Sequence, residues 1–210
     1  YSNFVWVPRT LGFWIFEIFN YLYINAFGLP TFRGGKMISI KELVGRRTLI
    51  LGELKAGKTR LTAKFLEELA CLFPGEVAVL DLAPSLVHGV GGKLEIPRGI
   101  EIEYLSTPVQ APHFMEGPEG VLEEANRNRD AIEALFEEYS RSPKMVLIIN
   151  DVSSYLQLGS VERLLSIMEK AETVLMNGYY GPPFSGCPLA EGERERMEEL
   201  ADFCNRVIHI

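Results

Sequence analysis

The chain has 210 residues, of which 47% are hydrophobic and 23% charged, which is enough apolar material for one globular domain with a sizeable core. Its formal net charge of -7 and pI of about 5.1 argue against broad, charge-driven binding to nucleic acid. The three cysteines are far apart and form no C-x-x-C pair, which indicates reduced thiols in a cytoplasmic protein rather than a disulfide framework or a metal site.

The first thirty-six residues differ in composition from the rest of the chain. They contain eleven of its twenty-two aromatic residues and no methionine, and the first methionine is Met37. One hypothesis is that the native protein begins at Met37, so that 1-36 is an apolar aromatic segment outside it and 37-210 is the domain. The alternative is membrane contact through residues 11-30, a stretch long enough to span a bilayer. Glu17 near its middle costs about 2.5-3.5 kcal/mol to insert, which favours a segment lying on the surface.

From Met37 onward, short apolar runs alternate with longer runs of helical periodicity. Strands separated by helices predict an α/β fold of three layers, in which a mostly parallel sheet is covered by helices on both faces. In such a fold the ligand is expected at the carboxyl ends of the strands. The predicted strands are 48-51, 77-80, 100-105, 145-149, 173-176 and 206-210, and the predicted helices are 58-73, 121-139, 161-171 and 193-204.

One stretch between a strand and a helix has the spacing of a phosphate-binding loop, G-x-x-x-x-G-K-T. Backbone N-H groups that converge from a tight turn and from a helix N-terminus bind phosphate oxygens, and glycine allows the backbone to approach closely. Lys58 is then placed to reach the β- and γ-phosphates, and the Thr59 hydroxyl to ligate Mg²⁺. The predicted nucleotide-binding residues are Gly52, Glu53, Leu54, Lys55, Ala56, Gly57, Lys58 and Thr59.

This stretch resembles the Walker A loop of the P-loop NTPase superfamily. The resemblance covers about a dozen residues and implies the fold of that superfamily, with ATP and Mg²⁺ as ligands. It implies neither an acceptor substrate nor a protein partner.

Asp151 is the predicted metal-binding acid. The apolar run 145-149 followed by Asn150 and Asp151 resembles the Walker B pattern, in which the carboxylate holds Mg²⁺ through water or beside the Thr59 hydroxyl. The next residue is Val152, at the position where many motor and transport ATPases have a glutamate that activates water. Its absence is evidence against that class.

Asp81 is a second candidate acid, because it also ends an apolar strand. In nucleotide and nucleoside kinases with a similar loop, an acid at this place often contacts the acceptor hydroxyl or the metal, which implies a general base. The alternative is a turn-forming aspartate before Ala83 and Pro84.

Other polar positions give weaker predictions. GTP-binding members of the superfamily carry N-K-x-D where this chain has Asn177-Gly178-Tyr179-Tyr180, so guanine specificity is not supported. Tyr180 is predicted either to stack on adenine or to pack on the core. Transfer of a γ-phosphate needs further positive charge. The candidates are Arg60, Lys93, Arg98, Arg127, Arg129, Arg194 and Arg196, of which the last two alternate with glutamates and are predicted to lie on a solvated helix face.

Three functions remain open from the sequence. The first is a Mg²⁺-dependent ATPase. The second is a kinase that uses Asp81 as its base and closes the segments 87-97 and 178-186 over an acceptor. A fainter resemblance to polynucleotide 5'-hydroxyl kinases rests on Asn150-Asp151-Val152-Ser153-Ser154 and Gly159, but the Thr, Gly and Trp of that family's motif are not matched. The third is a nucleotide sensor that does not hydrolyse its ligand.

Overall fold

The computed structural model describes residues 38-85, 92-183 and 187-210. The chain divides into two units, Tyr1-Ile38 and Ser39-Ile210, and the architecture below is that of the second unit. The segment 1-36 lies outside the described residues, as do parts of the two segments, 87-97 and 178-186, that the sequence assigns as lids.

The domain is built on a six-stranded sheet in which every pair of neighbouring strands is parallel, in the order β3-β2-β4-β5-β1-β6. The β1 strand therefore lies between β5 and β6, and β4 lies two places away from it. This arrangement confirms the predicted parallel α/β sheet. The strands are β1 (Arg47-Gly52), β2 (Val77-Asp81), β3 (Glu103-Ser106), β4 (Val146-Asn150), β5 (Thr173-Tyr179) and β6 (Arg206-His209).

The described residues also contain five α-helices and two 3-10 turns, the first of which precedes β1. The second helix begins four residues before its predicted start, because Pro118 fits the first turn of a helix, where no N-H partner is needed. A four-residue helix after β4 was not predicted. The helices are α1 (Lys58-Leu72), α2 (Gly117-Arg141), α3 (Ser153-Leu156), α4 (Val161-Met168) and α5 (Ala190-Asp202), and the 3-10 turns are Ile40-Glu42 and Pro112-Phe114.

Helices cover both faces of the sheet. Successive strand side chains point to opposite faces, so in β1 Leu49 and Leu51 share one face and Ile50 lies on the other. Leu49 and Leu51 belong to a buried cluster that includes apolar side chains of α2, α4 and α5. The buried side chains of α1, such as Phe65 and Leu69, lie outside that cluster and cover the opposite face. The result is the three-layer sandwich that the alternating pattern predicts.

Within residues 38-85, 92-183 and 187-210, none of the helices combines the length and apolar character needed to cross a bilayer. The three cysteines are free thiols, which agrees with their wide spacing in the sequence.

Candidate functional site

A cleft of about 270 Å³ opens at the carboxyl ends of the central strands, the edge of the sheet where the ligand is expected. Lys58 and Thr59 at the start of α1 line one wall, and Asp151, just after β4, lies on its floor. His113 and Glu193 come from two other connections and line further walls. Lys58 and Asp151, 93 positions apart in the sequence, thus line the same cleft.

The loop that precedes α1 contains two residues with positive φ and one tight turn. Gly57 has φ +98° and Lys55 has φ +62°, and the N-H of Ala56 closes a tight turn on the Glu53 carbonyl at 3.3 Å. The first N-H groups of any helix have no partner within it. No side chain caps α1, and its first turn contains no acidic residue. The positive end of this helix is therefore left to a ligand.

Gly52 is required by close approach rather than by an unusual φ. A Cβ atom at this position would lie 2.4 Å from the backbone oxygen of Ile210 and 3.3 Å from the Cβ of Ala56. The Ile210 N-H donates to the Leu51 carbonyl at 2.9 Å, which fixes the end of the chain beside the loop. A side chain at position 52 would force the start of the loop away from β6.

The Lys58 ammonium lies against its own loop. Its Nζ donates to the carbonyls of Gly52 at 2.9 Å and Glu53 at 2.7 Å, and it lies 5.9 Å from the centre of the Tyr179 ring. Burial lowers the pKa of Lys58, and the negative charge of Asp151 opposes that change. Lys58 is thus a partly desolvated cation at the mouth of the loop.

Asp151 is held in a strained backbone conformation. Its φ is +60°, and Asp151 and Lys55 are the two non-glycine residues with positive φ in the described part of the chain. Its carboxylate accepts hydrogen bonds from Ser153 and Ser154, and its N-H donates to the Asn177 side chain at 3.0 Å. Burial raises the pKa of Asp151, while these serines and Lys58 oppose the rise. Strain of this kind is concentrated at functional sites.

These residues fit a hard divalent cation. The Asp151 carboxylate is largely buried and has no lysine or arginine within ion-pair distance in the described residues. Thr59 lines the same cleft from the first turn of α1. No group of three or more His, Cys, Asp or Glu side chains in this part of the chain could hold a metal alone. Mg²⁺ binds with one or two protein oxygens together with water and phosphate oxygens, so Thr59 and Asp151 suit a metal that arrives with a nucleotide.

Asp81 is fully buried, and its carboxylate already accepts four hydrogen bonds. The donors are the N-H groups of Ala83 and Leu94, the Asn150 amide at 2.8 Å and the Tyr104 hydroxyl at 2.7 Å. It does not line the cleft. Its predicted role as a base stays a prediction, and these contacts favour the structural alternative.

A chain of buried polar side chains runs from Asp81 to the start of α1. The Asn150 amide donates to Asp81, and its oxygen accepts from Asn177 at 2.9 Å. The Asn177 amide also donates to the Thr62 hydroxyl at 2.8 Å, and that hydroxyl donates to the Lys58 carbonyl at 3.0 Å. Three strands and the helix after the loop are thus joined by hydrogen bonds that water cannot replace. Asn177, the first residue of the stretch compared with N-K-x-D, is part of the scaffold of the site.

The prediction of a solvated helix face for α5 is wrong for Arg196. Its guanidinium donates to the carbonyls of Leu156 at 2.6 Å and Gln157 at 2.5 Å, which ties α5 to the end of α3. Glu193, one turn earlier, lines the cleft. Burial and the charge of Asp151 raise the pKa of Glu193 to about 7, while hydrogen bonding from Gln157 and the charge of Arg196 oppose the rise.

A helical signal for Glu193 was present in the sequence. Positions 193, 197 and 200 fall on one face of a helix, because they are four and seven residues apart. Met197 and Leu200 are fully buried. Glu193 therefore lies on the same helix face as these apolar residues and not on the charged face. The alternation of glutamate and arginine at positions 193-196 conceals this pattern in the sequence.

Most of the other basic candidates are engaged away from the cleft. Lys93 donates to the carbonyls of Asp81 and Thr107. Arg60 lines the cleft and forms no ion pair with the described residues. The surface pairs are Arg127 with Glu123 and Glu124, Arg129 with Asp130, and Arg194 with Glu198.

Tyr180 lies outside this cleft. Its ring packs against His209 at 6.0 Å, the Arg194 guanidinium lies 4.8 Å from its centre, and its hydroxyl donates to Glu198. Its contact with the apolar cluster favours the core-packing alternative over stacking on adenine. The neighbouring Tyr179 lines the cleft instead.

No known family model matches this chain, and no curated protein is similar to it. Among solved structures, the Pif1 helicase from Candida albicans is similar, with a TM-score of 0.40 and 13% sequence identity. The match covers 98% of this chain and 39% of the helicase chain. A likeness at this level carries no argument about activity, so the case for function rests on the geometry of the cleft.

Proposed function

We propose that this chain binds a nucleoside triphosphate with Mg²⁺, with ATP as the expected nucleotide, and hydrolyses it. The observation that carries the proposal is the convergence of an uncapped helix N-terminus, Lys58 and the strained carboxylate of Asp151 on one cleft. A polyphosphate would supply a negatively charged partner for Lys58 and for the positive end of α1. The metal that accompanies it would supply a cationic partner for the Asp151 carboxylate.

Each residue has a distinct part in this proposal. The N-H groups of the loop from Gly52 to Gly57 and the start of α1 hold the phosphate oxygens, and Gly52 and Gly57 give the backbone its path. Lys58 exchanges its two carbonyl partners for β- and γ-phosphate oxygens. Thr59 and Asp151 hold Mg²⁺, which would neutralise developing charge on the phosphates.

Hydrolysis is preferred to a kinase reaction because of how Asp81 is used. A kinase base must be within hydrogen-bond reach of the acceptor hydroxyl. The four donors on the Asp81 carboxylate leave no free lone pair directed at the cleft. Water, which needs no binding site for an acceptor, is the simpler destination for the γ-phosphate.

The test is titration of the full chain with a fluorescent ATP analogue in the presence and absence of Mg²⁺, followed by measurement of phosphate release from ATP. Lys58→Ala removes the charge at the mouth of the loop, and we expect its affinity for the Mg²⁺ complex to fall at least tenfold. Lys170→Ala is the matched control, because Lys170 is an exposed lysine at the end of α4 and does not line the cleft. An unchanged affinity in Lys58→Ala, or no saturable binding to the parent chain, would refute the proposal.

A further inference from the structure

The α5 helix forms one wall of the cleft. This wall carries a carboxylate to which the nucleotide-binding scheme above assigns no role. Glu193 lies on the buried face of that helix and lines the same cleft as Lys58 and Asp151. It belongs to neither the loop nor the strand that ends before Asp151. A partly buried carboxylate calls for a structural or functional explanation, because burial disfavours its charged form.

The carboxylate of Glu193 is held on a rigid support. Arg196, one turn further along α5, is fixed by two backbone carbonyls at the end of α3. Met197 anchors the same helix in the core, with 1% of its surface exposed. These contacts hold the Glu193 backbone against the segment that follows Asp151, so the carboxylate keeps its place relative to the floor of the cleft.

Gln157 supplies a second polar group beside Glu193. It lines the same cleft, and its side chain opposes the rise in the pKa of the Glu193 carboxyl. The Gln157 Oε1 atom is buried and accepts no hydrogen bond within the described residues. A buried acceptor without a donor is costly, and a small polar ligand such as water removes that cost. A rotation of the Gln157 side chain toward the cleft lets Oε1 and the Glu193 carboxylate accept hydrogen bonds from one water molecule.

We propose that Glu193 is the general base of the reaction and that Gln157 orients the attacking water; this inference rests on the proposed function. The water oxygen attacks the γ-phosphorus as one of its protons passes to the Glu193 carboxylate. The bond from the γ-phosphorus to the β-γ bridging oxygen breaks, and its electron pair leaves with the nucleoside diphosphate. The products are inorganic phosphate, the diphosphate and a protonated Glu193, which then returns its proton to solvent.

Two further observations agree with this assignment. Val152 is fully buried at the position after Asp151, so the chain has no base there, and Glu193 provides a carboxylate at the same cleft from another element. The raised pKa of Glu193, about 7, is in the range in which a carboxylate accepts a proton most effectively near neutral pH.

The experiment compares the full chain with Glu193→Gln, Glu193→Asp and Glu191→Gln. Glu191 is the matched control, because it is an exposed glutamate in the first turn of the same helix and does not line the cleft. Affinity is measured with the fluorescent ATP analogue and Mg²⁺, kcat from phosphate release at saturating ATP, and folding from the thermal unfolding midpoint. We expect Glu193→Gln to lower kcat about 10²-fold or more, because a general base contributes that much. Its affinity should stay within threefold of the parent, Glu193→Asp should recover part of the rate, and Glu191→Gln should match the parent.

Each other outcome has a definite meaning. A kcat for Glu193→Gln within threefold of the parent overturns the role of the base. A variant that loses affinity and thermal stability together with rate shows a structural role and also overturns it. A parent chain that binds the nucleotide without releasing phosphate keeps the binding half of the proposed function and overturns both its hydrolysis half and the role of Glu193. A parent chain that does not bind the nucleotide at all refutes the proposed function, and this result is distinct from the other three.

Discussion

Replacement of Asp151 by asparagine should change stability and function in opposite directions. The ionised carboxylate is largely buried, without a cation at ion-pair distance in the described residues, and burial raises its pKa above the ordinary value of 3.8. Asparagine keeps the shape of the side chain and tolerates the positive φ of this position. It removes the charge that the fold must otherwise bury.

The size of the effect follows from two opposing contributions. Burying a carboxylate costs several kcal/mol in real proteins. The hydrogen bonds from Ser153 and Ser154 return about 1.5-3 kcal/mol each, because the acceptor is charged. Because the pKa of Asp151 is raised on balance, burial outweighs these bonds, and we expect Asp151→Asn to raise the free energy of unfolding by about 1-2 kcal/mol. This gain corresponds to roughly 2-8 °C in the unfolding midpoint for a domain of this size.

The pH dependence has a defined sign. Because the pKa of Asp151 is higher in the folded than in the unfolded chain, its protonated form stabilises the fold at low pH. That contribution is lost as the pH rises from about 4 through the raised pKa. The advantage of Asp151→Asn should therefore appear as the pH rises above about 4 and should grow until the pH exceeds the raised pKa. Thermal unfolding scans at several pH values measure it, with the exposed Asp202→Asn as the control.

The functional half of this prediction concerns Mg²⁺. A neutral amide is a weaker ligand than a carboxylate for a hard divalent cation. The Mg²⁺ concentration that gives half-maximal phosphate release should therefore rise at least tenfold, a loss of about 1.4 kcal/mol in the metal interaction. If the variant were less stable than the parent and its Mg²⁺ requirement were unchanged, Asp151 would be a structural residue and the reasoning would be refuted.

Two further predictions concern the scaffold of the cleft. Asn150→Leu removes one donor from the buried Asp81 carboxylate and leaves the Asn177 amide short of an acceptor. We therefore expect the free energy of unfolding, measured by chemical denaturation, to fall by about 3-5 kcal/mol. A fall of less than about 1 kcal/mol would contradict this account. Gly159→Ala places a Cβ atom 2.3 Å from the Tyr155 ring and should cost about 1-3 kcal/mol. Tyr155→Ala should cancel that extra cost in a double-mutant cycle, and independent, additive losses would show that the clash is relieved elsewhere.

The strands and the position of the cleft could be predicted because they depend on local patterns. The apolar runs around Ile50 and Ile148 are buried strands, since both faces of the sheet are covered. The ends of parallel strands share one edge, so the loop before Lys58 and the acid at Asp151 could be expected to meet there. The element boundaries differ by a few residues where strand pairing extends them, as in β5, which continues to Tyr179 beside Gly52.

The remaining features of the site depend on contacts between residues distant in the sequence. Nothing local to Asp81 shows that Tyr104 and Asn150 occupy its carboxylate. The place of Glu193 in the cleft depends on the docking of α5 against the residues after β4, and the position of Arg196 shows how that docking is fixed. The positive φ of Asp151 also results from the tertiary structure, because its N-H is held by the Asn177 side chain.

The hydrogen-bonded row of Asp81, Asn150, Asn177 and Thr62 limits how this sequence can diverge. Each residue of the row is hydrogen-bonded to the next. Replacement of one residue therefore leaves its neighbours without a donor or an acceptor, at positions that water does not reach. Related chains should therefore retain all four or exchange adjacent members together, for example an amide pair for an apolar pair. Such linked changes would extend from the second strand to the helix that begins at Lys58, across positions up to 115 residues apart.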